Sequence, residues 1–311
     1  MPLDPHVQRF LDRLAASKPR DSASLSVKER RAALEQLVSF AGWRESVAAV
    51  EDRTIPGPAV PLAVRIYTPE PAGPAPLPGL VYFHGGGFVA GTLDSHDAIC
   101  RSLANASRHR LISVDYRLAP EWPFPAAVED ACAATAWISA HAAELGIDPK
   151  RVGVCGDSAG ATLAAVVCQM AAAQGTPRLA LQLLLCPILD YAAETDSRRE
   201  FAQGYFVDRG TLEHDRAHYL GGQGDVNDPR VSPLKGTHIE ALPPTCIHTA
   251  EFDPLRDEGQ GYAERLRCAG VRTSYHCHSG MIHLFYGMGA LIPYSKAAYR
   301  QIGADLRAVL A

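Results

Sequence analysis

The chain is poor in what would hold it to a nucleic acid or a bilayer. Its 30 Lys and Arg are outnumbered by 34 Asp and Glu, a formal charge of −4, so no basic field is on offer to a polyanion or an anionic membrane. Long apolar runs are missing too. The most apolar stretch, residues 159 to 173, is too short and too Ala-rich to span a bilayer. Met1 to His6 carries no cationic lead into an apolar segment, so no secretory signal is expected. None of the eight cysteines forms a C-x-x-C pair, which removes the ligand knuckle of a zinc site. Several lie inside apolar runs, as in Val154-Cys155 and Leu185-Cys186-Pro187, and all eight are expected to be reduced core thiols of a cytoplasmic protein. No internal repeat is present.

What the chain does have is material for a large core. Over 311 residues it is 47% hydrophobic and 21% charged, which suffices to bury a core without metals or disulfides. The first 45 residues read as a separate helical segment. Val7, Phe10, Leu11 and Leu14 recur at helical spacing; after a Ser-rich break, Leu34, Leu37, Val38 and Ala41 do so again. Ser26 and Glu29 have the spacing of a capping box at the start of the second helix. Val60 to Tyr67 then reads as a strand, and the Pro-rich stretch 69–78 as a surface connection.

From Leu80 onward strand and helix alternate. Apolar runs at 80–83, 111–114, 152–155, 181–186 and 245–249 are separated by helical stretches such as 126–144, 159–174 and 258–269, the last stopped by Gly270. Continuous apolar strands between helices predict a largely parallel sheet covered on both faces, an α/β fold. Residues 192–235 do not fit. They are polar and Gly-rich, with one short helix near 211–220, and are expected to be an insertion. The division expected is 1–45, a core in two parts at 46–191 and 236–311, and the insertion 192–235.

Three motifs carry chemistry. Gly156-Asp157-Ser158-Ala159-Gly160 lies between a strand and a helix, the context in which G-x-S-x-G exposes a nucleophilic serine at a tight turn. The helix dipole there favours developing negative charge. His84-Gly85-Gly86-Gly87 follows another strand, where a bare backbone can aim N–H groups at an oxyanion. The second donor is expected from the amide of Ala159. The glycines lack the Lys-Ser/Thr or the G-x-G-x-x-G phasing of a phosphate cradle. A serine needs a base and an orienting acid, in the order Ser, Asp/Glu, His. His248 lies within a strand, and His276 and His278 alternate in another. His283 falls in a loop after Ser279-Gly280, within reach of the strand ends. Asp253 follows the strand ending at Thr249, with Glu251, Asp257 and Glu258 as alternative acids; the last two read better as solvated or structural charges on the next helix. The pairs His214/His218 and His276/His278 have metal-ligand spacing but no third ligand, so no metal is expected. Asp157 reads as a holder of the nucleophile turn through backbone hydrogen bonds.

From Leu80 to its end the chain resembles the hormone-sensitive lipase family of α/β-hydrolase carboxylesterases. The resemblance rests on residues 84–88 (HGGGF), 115–121 (DYRLAPE), 124–130 (FPAAVED), 156–160 (GDSAG), 253–258 (DPLRDE) and the His283 loop. It implies the α/β-hydrolase fold, a triad of Ser158, Asp253 and His283, and an oxyanion hole from Gly85, Gly86, Gly87 and Ala159. It also implies a cap built from segments 1–45 and 192–235. Leu284 departs from the family, where Gly is more usual after the His. His84, Phe88, Asp157, Leu284 and Phe206 are expected to border the substrate, with Phe201, Tyr205 and Phe206 as a pocket roof. The activity implied is hydrolysis of short- to medium-chain carboxylic esters, needing neither metal nor organic cofactor. The partner is then a small-molecule ester, with no nucleic acid and no membrane; a homodimer stays open. An amidase or formamidase would use the same triad. A hormone receptor would have lost His283.

Overall fold

The computed structural model describes residues 2–17 and 24–310. Part of the Ser-rich break after the first helix, residues 18–23, lies outside them. Pro5–Ala16 (α1) starts on Asp4, whose carboxylate accepts from the His6 and Val7 amides. Val27–Ala41 (α2) starts on the expected capping box: Ser26 Oγ accepts from the Glu29 amide, and Glu29 accepts from the Ser26 amide. The chain continues through Ala49–Ile55 (β1), Leu62–Thr68 (β2), Leu77–Phe83 (β3), Asp97–Ser107 (α3) and Arg110–Val114 (β4). Next come Ala126–Ala140 (α4), Ile147–Asp157 (β5), Ala159–Gln174 (α5) and Gln182–Leu185 (β6). Asp196–Glu200 (α6) and Arg209–Leu220 (α7) follow, so 192–235 holds two helices where the sequence suggested one. Thr245–Phe252 (β7), Arg256–Cys268 (α8), Thr273–Ile282 (β8) and Ser295–Leu310 (α9) complete the order.

Among the described residues eight strands form one sheet in the order β1-β2-β4-β3-β5-β6-β7-β8. The pairs β1/β2 and β2/β4 are antiparallel and the remaining five are parallel. The pleat divides the core. In β3, Val81 and Phe83 join one apolar layer with α4, α5 and α8, while Leu80 and Tyr82 join the other with α3 and α9. Burial on both faces is why these strands read as unbroken apolar runs. Pairing also sets the strand ends level. Phe83 lies opposite Gly156, Asp157 opposite Leu185, and Phe252 opposite Ile282. The residues that follow β3, β5, β7 and β8 are His84, Ser158, Asp253 and His283.

One expectation needs correcting, and one open alternative is decided. All eight cysteines are free thiols, but Cys268 at the end of α8 is exposed, since the helix turns that position away from the sheet. Glu258 is structural but not solvated. It is 1% exposed, accepts from the Leu189 and Asp190 amides at 2.8 and 2.9 Å, and pairs with Arg198 of α6. Among the described residues no helix is long and apolar enough to cross a membrane.

Glu258 therefore ties Arg198 in the 192–235 segment to α8 and to the chain leaving β6. Removing one partner of such a buried pair leaves the other charged and unmatched. Glu258→Leu is expected to lower the unfolding free energy by about 3–5 kcal/mol, read from urea denaturation midpoints. A loss below 1 kcal/mol would show the pair to be dispensable.

Candidate active site

The turn from β5 into α5 is strained in one place. Ser158 has φ 53° and ψ −120°, a positive-φ conformation that costs a residue with a β-carbon roughly 1–3 kcal/mol. Surrounding contacts hold it there. Its amide donates to Leu185 O at 2.8 Å, extending the β5–β6 ladder by one rung, and its carbonyl accepts from Ala161. Gly160 packs against the β3 loop so closely that a β-carbon would stand 2.0 Å from Phe83 O and 2.5 Å from His84 O. Both are backbone atoms and neither can step aside, so this position admits only glycine.

His283 and Asp253, each just past a strand end, are joined by a 2.7 Å hydrogen bond from Nδ1 to Oδ2. Asp253 is fully buried, and its other oxygen accepts from the Leu255 amide at 2.9 Å. Burial of His283 opposes the imidazolium. The charge and hydrogen bond of Asp253 outweigh it, and the net pKa lies above the ordinary histidine value. With Nδ1 engaged, Nε2 is the ring atom left for other partners.

One trio of metal-capable groups occurs among the described residues: Cys186 Sγ, Asp253 and His283 offer atoms within 4.8 Å of one another. Burial pushes the Cys186 thiol pKa far up. Elsewhere the histidines occupy one another. His248 Nδ1 meets His278 Nε2 at 3.1 Å, His278 Nδ1 meets Tyr294 Oη at 3.2 Å, and His214 lies against Asp215 and Leu25 O.

The glycine loop departs from expectation at one residue. The Gly85 amide donates to Asp157 Oδ1 at 2.9 Å, and the Tyr82 hydroxyl donates to the same oxygen. Gly85 is thus committed to Asp157 and is not a free oxyanion donor. Asp157 in turn holds the neighbouring loop rather than its own turn. Burial raises its carboxyl pKa, but His96, 3.7 Å away, and the Tyr82 bond overcome that and leave it lowered. Gly86 and Gly87 have φ of 115° and 67° and line the cavity in front of Ser158. Ala159 opens α5, among the amides that a helix leaves without an internal acceptor.

That cavity measures about 490 Å³. Ser158, His283, Leu284, Asp157, Gly86 and Gly87 form its floor. Phe10, Leu11 and Leu14 of α1, Arg30, Leu34 and Leu37 of α2, Leu212 and Asp215 of α7, and Phe206 form much of its walls. Phe206 meets Phe10 edge-on at 5.7 Å, closing the top. Of the residues expected to border a substrate, Asp157, Leu284 and Phe206 line this cavity; His84 and Phe88 do not. His84 is buried flat against Tyr116 at 4.3 Å, and burial takes its pKa down to about 3, so it is neutral. Phe88 is buried against Tyr219 at 3.8 Å. Phe201 and Tyr205 pack on Phe252 and also miss the wall. Sequence reasoning missed Tyr82, His96, Arg30 and Asp215. The first two carried no motif, and the last two meet only through packing of α2 on α7.

A family model described as the alpha/beta hydrolase fold matches residues 80–287. The chain belongs to that family, in the branch of hormone-sensitive lipase type that its motifs indicate. The carboxylic ester hydrolase LipN of Mycobacterium tuberculosis is 43% identical over 84% of this chain and 70% of its own. The esterase LipI of the same organism is 38% identical over 99% and 95%. Among solved structures, an ester hydrolase from the metagenome of Lake Arreo superposes with a TM-score of 0.95 at 38% identity, covering 98% of both chains.

The Asp253 bond makes a signed prediction about His283. Its imidazole, followed by NMR, is expected to titrate above pH 6.5, because Asp253 favours the protonated ring. In Asp253→Asn the carboxylate charge is gone while burial remains, so the midpoint should fall below 6.5. An unchanged midpoint would mean that Asp253 does not set the ring's charge.

Proposed function

We propose that this chain is a serine carboxylesterase working through an acyl-Ser158 intermediate. The observation that carries the reading is convergence: Ser158, His283 and the Gly86-Gly87 backbone border one cavity, and His283 is bonded behind to Asp253. Ser158 Oγ attacks the ester carbonyl while His283 Nε2 takes its proton. Asp253 fixes the Nδ1–H tautomer and stabilises the imidazolium. The oxyanion is met by the amides of Gly86, Gly87 and Ala159. As the tetrahedral adduct collapses, His283 returns the proton to the leaving alkoxide. Water then attacks the acyl-serine with His283 as base, releasing the acid and restoring Ser158. The relatives named as ester hydrolases favour esters over amides as substrates.

In this reading segments 1–45 and 192–235 form the cap over the core of 46–191 and 236–311. The cap bounds the acyl chain. Each buried CH₂ is worth roughly 0.8 kcal/mol while the cavity has room for it. Beyond the reach of Phe10 and Phe206, further methylenes stay in water. The cap helices also lack the cationic face opposite a broad apolar one that an interfacial anchor shows, since α2 alone carries Glu29, Arg30, Arg31 and Glu35.

Ser158→Ala and His283→Ala are each expected to lose on the order of 10⁴ in kcat with the fold retained, while His278→Ala keeps most of its turnover. Equal damage from His278→Ala and His283→Ala would overturn the choice of base. Across p-nitrophenyl esters from acetate to palmitate, kcat/KM should peak at short or medium length. A maximum at palmitate, or a jump in rate once droplets form, would instead mark a true lipase.

A further inference from the structure

Gly87 is barred from carrying a side chain by a residue far from its own loop. A β-carbon there would stand 2.0 Å from Asp215 Oδ2 and 2.5 Å from Asp215 Cγ, so the buried carboxylate of Asp215, on α7, rests against the Gly87 α-carbon. A buried negative charge is a poor neighbour for backbone that is to receive an oxyanion. The oxygen facing Gly87 is the one that Arg30 of α2 grips, from Nη2 at 2.9 Å. Arg30 is the one guanidinium bonded to Asp215 among the described residues, and His214 Nδ1 lies 3.0 Å from the other oxygen, Oδ1. Asp157, the acid beside Ser158, is engaged separately by Gly85, Tyr82 and His96. Burial of His283 and, more weakly, the Arg30 charge oppose protonation of that ring. Two helices from distant parts of the chain therefore set one matched ion pair against the glycine backbone and within electrostatic reach of the imidazole.

We propose that Arg30 and Asp215 are a positioning pair for ester hydrolysis: Asp215 seats Gly87 to meet the oxyanion, and Arg30 cancels the charge that this contact brings beside it. The inference rests on the serine carboxylesterase reading and extends it to the helices over the cavity. Seating and cancellation make different demands. Asn has the shape to back Gly87 as Asp does, but a carboxylate at 215 needs a cation at 30. Charge removed from Arg30 alone leaves an anion facing the oxyanion, worth on the order of thirtyfold in rate at an effective dielectric of about 20. Charge removed from both residues leaves nothing to cancel. A pair that merely held α2 on α7 would disturb the whole cavity when broken, and ground-state binding with it.

The test compares Arg30→Gln, Arg30→Lys and the double variant Arg30→Gln/Asp215→Asn on p-nitrophenyl butanoate, on the alkaline plateau where His283 is neutral. Arg30→Gln is expected to lose about thirtyfold in kcat with little change in KM. Arg30→Lys and the double variant should each recover most of that loss. Two ketones separate charge from shape. Ser158 Oγ adds to the carbonyl of 1,1,1-trifluoroheptan-2-one, whose oxygen becomes the oxyanion while the serine proton passes to His283; heptan-2-one binds as the neutral ketone. In Arg30→Gln the inhibition constant of the trifluoroketone should rise as kcat falls, while that of heptan-2-one holds. Asp215→Glu keeps both charges but drives a methylene at Gly87, so it tests seating without relying on the folding of Arg30→Gln. It should lose about tenfold in kcat and in trifluoroketone affinity but not in heptan-2-one affinity. Equal weakening of both ketones, a double variant as slow as Arg30→Gln, or full kcat in Asp215→Glu would each overturn the proposal while leaving the esterase reading intact. Failure of the wild type to turn over p-nitrophenyl butanoate would overturn both.

Discussion

The buried carboxylate of Asp157 is the contact on which the rest of the site depends. It ends β5 one residue before the strained serine, and it reaches across to the loop after β3 to take the Gly85 amide and the Tyr82 hydroxyl. One side chain therefore fixes the distance between the serine turn and the glycine backbone in front of it. His96, 3.7 Å away, helps to keep that carboxylate charged despite its burial. The strain at Ser158 is tolerable because the sheet holds the turn from below, through the Ser158 amide bonded to Leu185 O.

Above this floor the chain builds a second layer with polar bonds as well as burial. The sheet and its helices rest on apolar contact in two continuous layers. The helices over the cavity are tied down by discrete polar bonds: Arg30 to Asp215, Arg31 to Glu121 and two backbone carbonyls, and Arg198 to Glu258. These directional bonds add to apolar contact, since Val7, Leu11, Leu34, Val38 and Ala41 join one layer and Tyr219 the other.

Much of this was legible in the sequence because it rests on local constraint. The Ser158 turn admits only glycine at 160, so G-x-S-x-G reports its own geometry. Asp253 follows closely on an apolar run, and His283 stands just past Ser279-Gly280, near the strand ends. The capping box at Ser26 and Glu29 is likewise local. What escaped was set by packing at a distance. β1 was missed because it is an edge strand with charged, largely exposed residues in its middle and no apolar run. α3 begins at His96 without a side-chain cap, so no start signal was written there. Gly85 looked like a donor until the fold supplied Asp157 as its acceptor, a partner 72 positions away. His84 and Phe88 sit beside the site in sequence, yet stacking on Tyr116 and Tyr219 turns both rings into the core.

The meeting of Phe10 with Phe206 means that the roof is a seam between two stretches of chain far apart in sequence, rather than one flap on a hinge. Substitutions along the seam reshape the space above Ser158 without moving the strand ends that carry the groups proposed to react. Selectivity and reactivity are therefore inherited from separate parts of the molecule. The helices can drift toward new acids or alcohols while the sheet goes on presenting the same serine, imidazole and glycine backbone beneath them.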